Sequence, residues 1–253
     1  MEKETKNLSI EQAFLAATTL EKSQNTRELA GDNPPMPERP VKEGTRILPL
    51  PEPELLSDVQ GSFLELMELR TTVRQYSEKA LTLKELSYLL WCTQGVKEAL
   101  PNARSMRTVP GAGGRHAFET YLYIQKVEGL APGLYRFWAF EHALLPVAGK
   151  DEIENALLAG FKSANMVRQS AVTFIWTAAM ERMLYKFGPR GYRYIFLDAG
   201  HVCQNLYLAA YTIQAGVCAV GAFYDDKLNA ALSLDGVNDF AVYAATAGKI
   251  GRN

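Results

Sequence analysis

The short string RTTVRQY, which follows a predicted helix, concentrates two basic and two hydroxyl side chains. Arg70 and Arg74 are four residues apart, so they would project from one side if the helical turn continued, with Thr71 and Thr72 between them. Guanidinium groups bind phosphate oxygens through paired hydrogen bonds. The segment is therefore a candidate binding site for a phosphate or a polyol chain. The alternative is a solvated surface turn with two unrelated arginines.

A glycine-rich loop precedes a predicted strand in the string RTVPGAGGRHAFETYLYI. Its residues are Pro110, Gly111, Ala112, Gly113 and Gly114. Glycine permits positive φ angles and lets backbone N–H groups approach a ligand closely. No Gly-Lys-Ser/Thr sequence follows, which excludes a Walker-type loop, and the glycines come before a strand, which excludes a Rossmann fingerprint. The loop is either a plain turn or a surface that lies against a flat cofactor ring.

Five further residues, in three parts of the chain, carry weaker signals. Gly221 and Ala222 follow an apolar strand, where small residues let backbone N–H groups face a ring atom. The tail TAGKIGRN places Lys249 and Arg252 after the last predicted strand, and alone it is a basic C-terminus. Lys186 is the one side-chain candidate for catalysis, and the alternative is a surface lysine on a helix.

The elements that must position these residues alternate between helices and strands from Leu56 onward. A helix is predicted before Arg70, and a second begins at Thr82, with Glu85 at the capping-box position. Further helices are predicted at 151–159, 190–214 and 225–232, and strands at 120–127, 134–139, 143–147, 171–179, 217–223 and 240–246. The pattern favours an α+β fold with reversing turns in the middle, crossovers near the end, and helices on both faces of a sheet.

Residues 1–55 differ from the predicted domain at 56–253. A short helix is predicted near Ile10 to Leu20, and the following segment holds seven of the twelve prolines, so it must be extended. It is either a linker lying on the surface or an arm that embraces a partner subunit.

Composition excludes several functions. The 253 residues contain 27 Lys and Arg against 28 Asp and Glu, so no basic excess exists for nucleic acid. The N-terminus has only short apolar runs, so neither a signal peptide nor a membrane span is expected. The three histidines lack ligand spacing, and no metal site is expected. Three scattered cysteines among apolar neighbours favour a reducing, cytoplasmic compartment.

Taken together and in order, the strings resemble the FMN-dependent nitroreductase family, and within it the SagB/ThcOx-type dehydrogenases that oxidise azolines in ribosomal peptides. The resemblance runs from about Phe63 to the end and is most specific in GYRYIFLDAGHVCQN. It implies a nitroreductase-like α-β-α sandwich that forms a homodimer with two FMN sites at the interface. The long helix would carry Asp198, His201 and Gln204 near the dimer core.

The resemblance also implies roles for the candidate residues. The string from Arg70 to Arg74 would hold the FMN phosphate and ribityl chain, and Pro110 to Gly114 would lie beside the isoalloxazine. The backbone at Gly221 and Ala222 would approach its N5 edge, and Lys249 and Arg252 would complete the phosphate site.

The function implied is hydride transfer through flavin N5, with a small molecule or a modified peptide as the substrate. The reaction would be azoline-type dehydrogenation, or nitro or quinone reduction with NAD(P)H as the candidate donor. Two departures from the family pattern are Gly111, where a serine is usual, and Phe187 after Lys186, where the azoline-oxidising members have a tyrosine. These departures motivate an alternative, a non-catalytic flavin-binding or partner-binding dimer. A lyase or hydrolase without flavin is disfavoured because no nucleophile–base constellation is present.

Overall fold

A seven-stranded antiparallel sheet forms the centre of the molecule. The structure, a computed structural model, describes residues 8–53 and 62–251. The strands of this sheet are β1 (Leu48–Pro49), β4 (Phe118–Ile124), β5 (Gly133–Trp138), β6 (Ala143–Gly149), β7 (Val172–Ala179), β8 (Ala215–Val220) and β9 (Asp239–Lys249). Their order across the sheet is β1-β6-β5-β4-β7-β9-β8. A separate hairpin consists of β2 (Val96–Leu100) and β3 (Arg104–Arg107).

Helices cover both faces of the sheet. They are α1 (Ile10–Ala17), α2 (Phe63–Leu69), α3 (Leu83–Gln94), α4 (Lys150–Ala159), α5 (Ala164–Gln169), α6 (Met180–Phe187), α7 (Gly191–Thr212) and α8 (Asp225–Ala231). Within the described ranges, none of these helices has both the length and the apolar character needed to span a membrane.

Alternation along β4 builds two cores, one on each face of the sheet. Leu122 and Ile124 pack with α3, α6 and α7, whereas Tyr121 and Tyr123 pack with α4, α5 and α8. Successive side chains of a strand point to opposite faces, so a strand buried on both faces carries apolar residues on each of them. The predicted α+β architecture with helices on both faces is confirmed.

The predicted helices and strands are present in the structure with boundaries shifted by a few residues. The Thr82 hydroxyl accepts from Glu85 N at 3.2 Å, and the Glu85 carboxylate accepts from Thr82 N at 2.9 Å, which confirms the capping box at the start of α3. The β2–β3 hairpin was not predicted. Its turn places Asn102 and Ala103 at φ 61° and 53°, a conformation for which alanine carries no sequence signal.

The proline-rich segment lies on the surface of its own chain and is held there by buried charges. The Glu38 carboxylate accepts from Ala139 N at 2.8 Å and Phe140 N at 3.1 Å. The Arg136 guanidinium donates to the carbonyls of Arg39 at 3.0 Å and Pro40 at 3.3 Å. The predicted boundary between residues 55 and 56 falls outside the described residues.

A buried carboxylate joins this segment to the sheet. Glu119 of β4, whose side chain is 1% exposed, forms ion pairs with Arg136 at 2.9 Å and with Arg182. It also accepts from Arg39 N at 2.8 Å. Burial opposes ionisation, but Arg182 and Arg136 hold the pKa of Glu119 below its usual value. The ionised carboxylate therefore ties the segment to β4, β5 and α6.

Candidate functional site

The string RTTVRQY is an extended segment beside β8 rather than a continuation of a helix. Helix α2 ends at Leu69, and Arg70 has φ −54° and ψ 112°. Thr72 pairs with Val217 in a parallel bridge, and Val73 N donates to Val217 O at 2.9 Å. The condition that the helical turn continues is therefore not met. Residues two apart in an extended chain still share a side, so Arg70, Thr72 and Arg74 project together.

Tyr207 of α7 organises these side chains. The Arg70 guanidinium lies 5.6 Å from the centre of the Tyr207 ring, and the Thr72 hydroxyl is 3.3 Å from the Tyr207 hydroxyl. That hydroxyl also accepts from Ala219 N of β8 at 2.9 Å. The tyrosine therefore joins the extended segment to the sheet edge.

Arg74 lies beside Cys218 of β8. We call Arg70, Thr72, Arg74 and Tyr207 the arginine cluster. Burial raises the pKa of the Cys218 thiol, and the neighbouring Arg74 guanidinium opposes this effect. Within residues 8–53 and 62–251, no carboxylate forms an ion pair with Arg70 or Arg74. Two guanidiniums without a counter-charge beside a hydroxyl can receive a phosphate.

The chain that follows β8 leaves its backbone open. Gly221 is exposed, and a side chain built there would meet nothing closer than Tyr243 Cε2 at 3.8 Å. Ala222 is also exposed, and its carbonyl accepts from Lys162 N at 3.3 Å. Backbone groups at this edge are accessible to a flat ligand.

The structure separates the ammonium of Lys249 from this cluster. The main chain of Lys249 lies beside the residue that follows the RTTVRQY segment, because Lys249 O accepts from Ser77 N at 2.8 Å. The side chain is buried, forms an ion pair with Glu85 and donates to Ile213 O at 2.6 Å. Arg252, the other predicted basic residue, lies outside the described residues.

The glycine-rich loop forms a tight turn against α7. Gly113 and Gly114 have φ 58° and 67°, the left-handed region in which other residues are strained. Ala112 N donates to both carboxylate oxygens of Asp198, at 3.1 Å and 3.0 Å. A side chain at Gly111 would lie 2.7 Å from the His116 ring, so the backbone is closely packed there. Pro110 is exposed at the start of the turn.

Burial raises the pKa of Asp198 to about 6, although the bond from Ala112 N opposes this shift. A raised pKa means that the folded state favours the protonated acid. The contribution of this group to stability is therefore greatest below its ordinary pKa of 3.8 and is lost as the pH rises through about 6.

Asp198→Asn should stabilise the protein by about 1–2 kcal/mol at pH 7.5, because about two pKa units correspond to roughly 3 kcal/mol and one charge-assisted bond is weakened. Urea unfolding at pH 4.5, 5.5 and 7.5 measures the change, which should shrink toward pH 4.5. Asp235 provides a control of opposite sign, because N–H groups of Asp239 and Val237 lower its pKa. Asp235→Asn should therefore destabilise the protein at pH 7.5. A destabilised Asp198→Asn at that pH would contradict the assignment.

Lys186 lies against the glycine-rich loop. A side chain built at Gly113 would lie 2.8 Å from Lys186 Cδ and from Phe187 Cζ. The Lys186 ammonium forms an ion pair with Glu28 at 3.2 Å, and the same carboxylate pairs with Arg115 at 2.5 Å. Lys186 is half-buried near the end of α6, so it lies on a helix, as the alternative of a surface lysine has it.

Helix α7 separates the two groups of residues. Tyr207 follows Asp198 by nine residues, or two and a half helical turns, so their side chains leave the helix on opposite sides. Leu197, His201 and Gln204 occupy a third side and are exposed. One chain therefore presents the arginine cluster and the glycine-rich loop on opposite flanks of one exposed helix face.

The Nitroreductase family model matches residues 67–249. The chain belongs to the nitroreductase family. This match confirms the resemblance to a family of oxidoreductases, and the sheet with helices on both faces confirms the α-β-α fold that the resemblance implies.

Two sequence relatives and two solved structures show how far the similarity extends. MJ1384 of Methanocaldococcus jannaschii, which bears the name nitroreductase, is 32% identical over 180 residues, covering 71% of this chain and 88% of its own. The trifolitoxin-processing protein TfxB of Rhizobium leguminosarum is 28% identical over 133 residues, covering 49% of this chain and 35% of its own.

A solved structure described as a nitroreductase from Ralstonia eutropha has a TM-score of 0.67 and 23% identity, covering 87% of this chain and 96% of its own. Another from Anabaena variabilis has a TM-score of 0.60 and 26% identity. It covers 74% of this chain, which spans 37% of the Anabaena chain. The Ralstonia structure supports the fold alone, because it is only 23% identical to this chain.

Sequence reasoning missed two residues of the site. Glu28 is 87 residues from Arg115 and 158 residues from Lys186, and no local pattern links them. Tyr207 lies in an ordinary helical run, LYLAAY, in which nothing distinguishes it from a packing residue. The resemblance implies a position near a dimer core for Asp198, but no sequence pattern predicts its buried bond to the glycine-rich loop.

Proposed function

We propose that the chain is an FMN-dependent oxidoreductase whose two cofactor sites form between two copies. The observation that carries the proposal is that Arg70 and Arg74, which have no carboxylate partner within the described residues, lie along β8, at whose end the backbone of Gly221 is open. The guanidiniums and the Thr72 hydroxyl fit the FMN phosphate and ribityl chain, and Gly221 and Ala222 offer backbone groups to the ring. FMN, when bound, supplies hydride transfer. The protein supplies binding, orientation and exclusion of water.

The placement of the two groups on opposite sides of α7 supports the proposed dimer. Two copies related by a two-fold axis through the exposed helix face would bring the arginine cluster of each beside the glycine-rich loop of the other. Phe196 and Leu197, which are 53% and 61% exposed, would be covered by this contact. The loop from Pro110 to Gly114 would then lie beside the flavin ring of the partner copy.

The remaining basic residues have distinct parts in this proposal. Arg252 would add a positive charge at the phosphate. Lys249 would do the same if its ammonium left its ion pair with Glu85 and bound the phosphate instead. Lys186, held beside Gly113, is the candidate to give or take a proton at the substrate. His116 is not a candidate, because burial and the charge of Arg107 lower its pKa to about 3.

Two substrate classes are consistent with the family. The similarity to TfxB, a toxin-processing protein, supports dehydrogenation of an azoline-type modified peptide by a SagB-type enzyme. The similarity to MJ1384 supports reduction of a nitro or quinone compound, with NAD(P)H as the electron donor. Phe187 offers no hydroxyl beside Lys186, which favours the second class. The free cysteines Cys92, Cys203 and Cys218 suit a reducing, cytoplasmic compartment.

The test is to purify the full chain, record its absorption spectrum and titrate it anaerobically with NADH and NADPH. We expect flavin absorption, bleaching by a nicotinamide donor, and sedimentation as a dimer. A colourless protein that takes up no added FMN would overturn the proposal. Bound flavin that no donor and no substrate reduces would favour the alternative of a non-catalytic flavin-binding dimer.

A further inference from the structure

A cleft of about 570 Å³ lies between the N-terminal segment and the junction of α6 with α7. Glu28 N donates to Tyr185 O at 3.0 Å, and Arg190 N donates to Ser23 Oγ at 3.1 Å, so the segment is fixed on both sides of the cleft. The volume is within the range of small-molecule sites. The cleft is thus preformed by this chain.

The cleft reaches the glycine-rich loop through two residues of its wall. Lys186 and Phe187 line the cleft, and both lie within 2.8 Å of the position that a Gly113 side chain would occupy. A ligand in the cleft would therefore be next to the loop that the proposed function places beside the flavin ring. A role for the cleft in substrate binding therefore rests on that proposed function.

One part of the wall is apolar and aromatic. Leu20 and Leu29 face the cleft, and Leu29 is 76% exposed. The rings of Phe187 and Tyr194 meet edge to face with their centres 4.8 Å apart. Such a wall suits a flat hydrocarbon or aromatic body.

The other part of the wall has more cations than carboxylates. Glu28 is the carboxylate in the lining, and it already compensates Arg115, whose side chain is 1% exposed, as well as Lys186. Arg190 donates to the Tyr194 hydroxyl at 2.8 Å and to Thr18 O at 3.2 Å, both neutral acceptors. The carboxylate of Glu21 is near enough to interact with the charge of Arg190, but it is fully exposed and forms no ion pair with Arg190 within the described residues.

We propose that this cleft binds the substrate and selects an organic anion, a molecule with an apolar or aromatic body and a carboxylate. The carboxylate would pair with Arg190 and share Lys186 with Glu28, and the body would lie on Phe187 and Leu29. Bonds between charged partners are stronger than bonds to a neutral amide of the same shape, so the anion should be preferred.

Calorimetric titration of the purified full chain with benzoate and with benzamide tests binding without requiring redox activity. Benzoate should bind about tenfold more tightly than benzamide. Arg190→Gln should abolish this preference, Arg190→Lys should retain most of it, and Lys186→Gln should reduce it. Arg168→Gln, an exposed arginine on α5, is the matched control and should change nothing. Equal binding of the two probes, or no binding of either, would overturn the proposal.

A second measurement separates this inference from the proposed function. On the flavin-loaded protein, kcat/KM for 4-nitrobenzoate should exceed that for 4-nitrobenzamide by about tenfold, with the difference in KM. Benzoate binding without this kinetic preference would show that the cleft is not the substrate site. Absence of flavin would overturn the proposed function, whereas the calorimetric preference would still report on the anion site.

Discussion

Replacing both Arg70 and Arg74 with alanine should weaken FMN binding by a factor of at least about 100. Each guanidinium lacks a carboxylate partner within the described residues, so each is available to the phosphate. A charge-assisted hydrogen bond contributes about 1.5–3 kcal/mol, and 1.4 kcal/mol corresponds to a tenfold change in affinity. Fluorescence titration of the flavin-free protein with FMN measures the loss.

The matched control removes two exposed arginines elsewhere, with Arg46→Ala and Arg168→Ala in one chain. It changes the net charge equally and should leave FMN affinity within about twofold, because exposed charges at a distance are screened by salt. If both double variants lose FMN to the same extent, the effect comes from the change in net charge, and the FMN phosphate binds elsewhere. Thermal unfolding of the flavin-free variants should differ little from that of the wild type.

Glu119→Gln should destabilise the protein by about 3 kcal/mol, because it leaves the buried guanidiniums of Arg136 and Arg182 without their shared negative charge. The pKa of Glu119 is lowered, so this stabilisation is present above the ordinary value of 4.5 and is lost as the pH falls through the lowered value. Urea unfolding at pH 7.5 measures the free-energy change, and the difference between variant and wild type should diminish in acid.

Glu78→Gln is the control for this prediction. Glu78 also pairs with a cation, Lys126 at 3.2 Å, but its side chain is 90% exposed. Exposed pairs contribute little, so this variant should unfold within about 0.5 kcal/mol of the wild type. Limited proteolysis adds a local readout, since Glu119→Gln should expose the segment near Arg39, whose amide it anchors. Equal stability of the two variants would contradict the anchoring role of the network.

The sheet and its helices could be predicted because each depends on patterns within one segment. The mostly apolar run at 171–179 indicated a buried strand, and Thr82 with Glu85 marked the start of a helix. The β2–β3 hairpin was not predictable in this way, because Ala103 adopts a positive φ without a residue type that signals it. A contact from elsewhere in the chain stabilises that turn, because the Arg115 guanidinium donates to Asn102 O at 2.7 Å.

The sequence singled out segments of the candidate site, but it did not predict how they are arranged in space. Residue chemistry singled out the arginine segment and the glycine-rich loop, the resemblance implied their roles, and the structure places both beside α7. Their assignment to opposite flanks depends on the rotation of a long helix, which no string records. The partners Glu28 and Tyr207 come from segments far away in the sequence. Contacts of this kind arise only when the chain is folded.

The two flanks of α7 have a consequence for the communication between sites. In the proposed dimer, each α7 would touch two different cofactors, one through Tyr207 and the other through the loop bonded to Asp198. The two contact points are separated by nine residues of continuous helix, a rise of about 14 Å. A continuous helix moves as one body, so a small rotation at one contact point would also move the other. Occupation of one site should therefore change the affinity of the other, and flavin titrations should depart from independent binding.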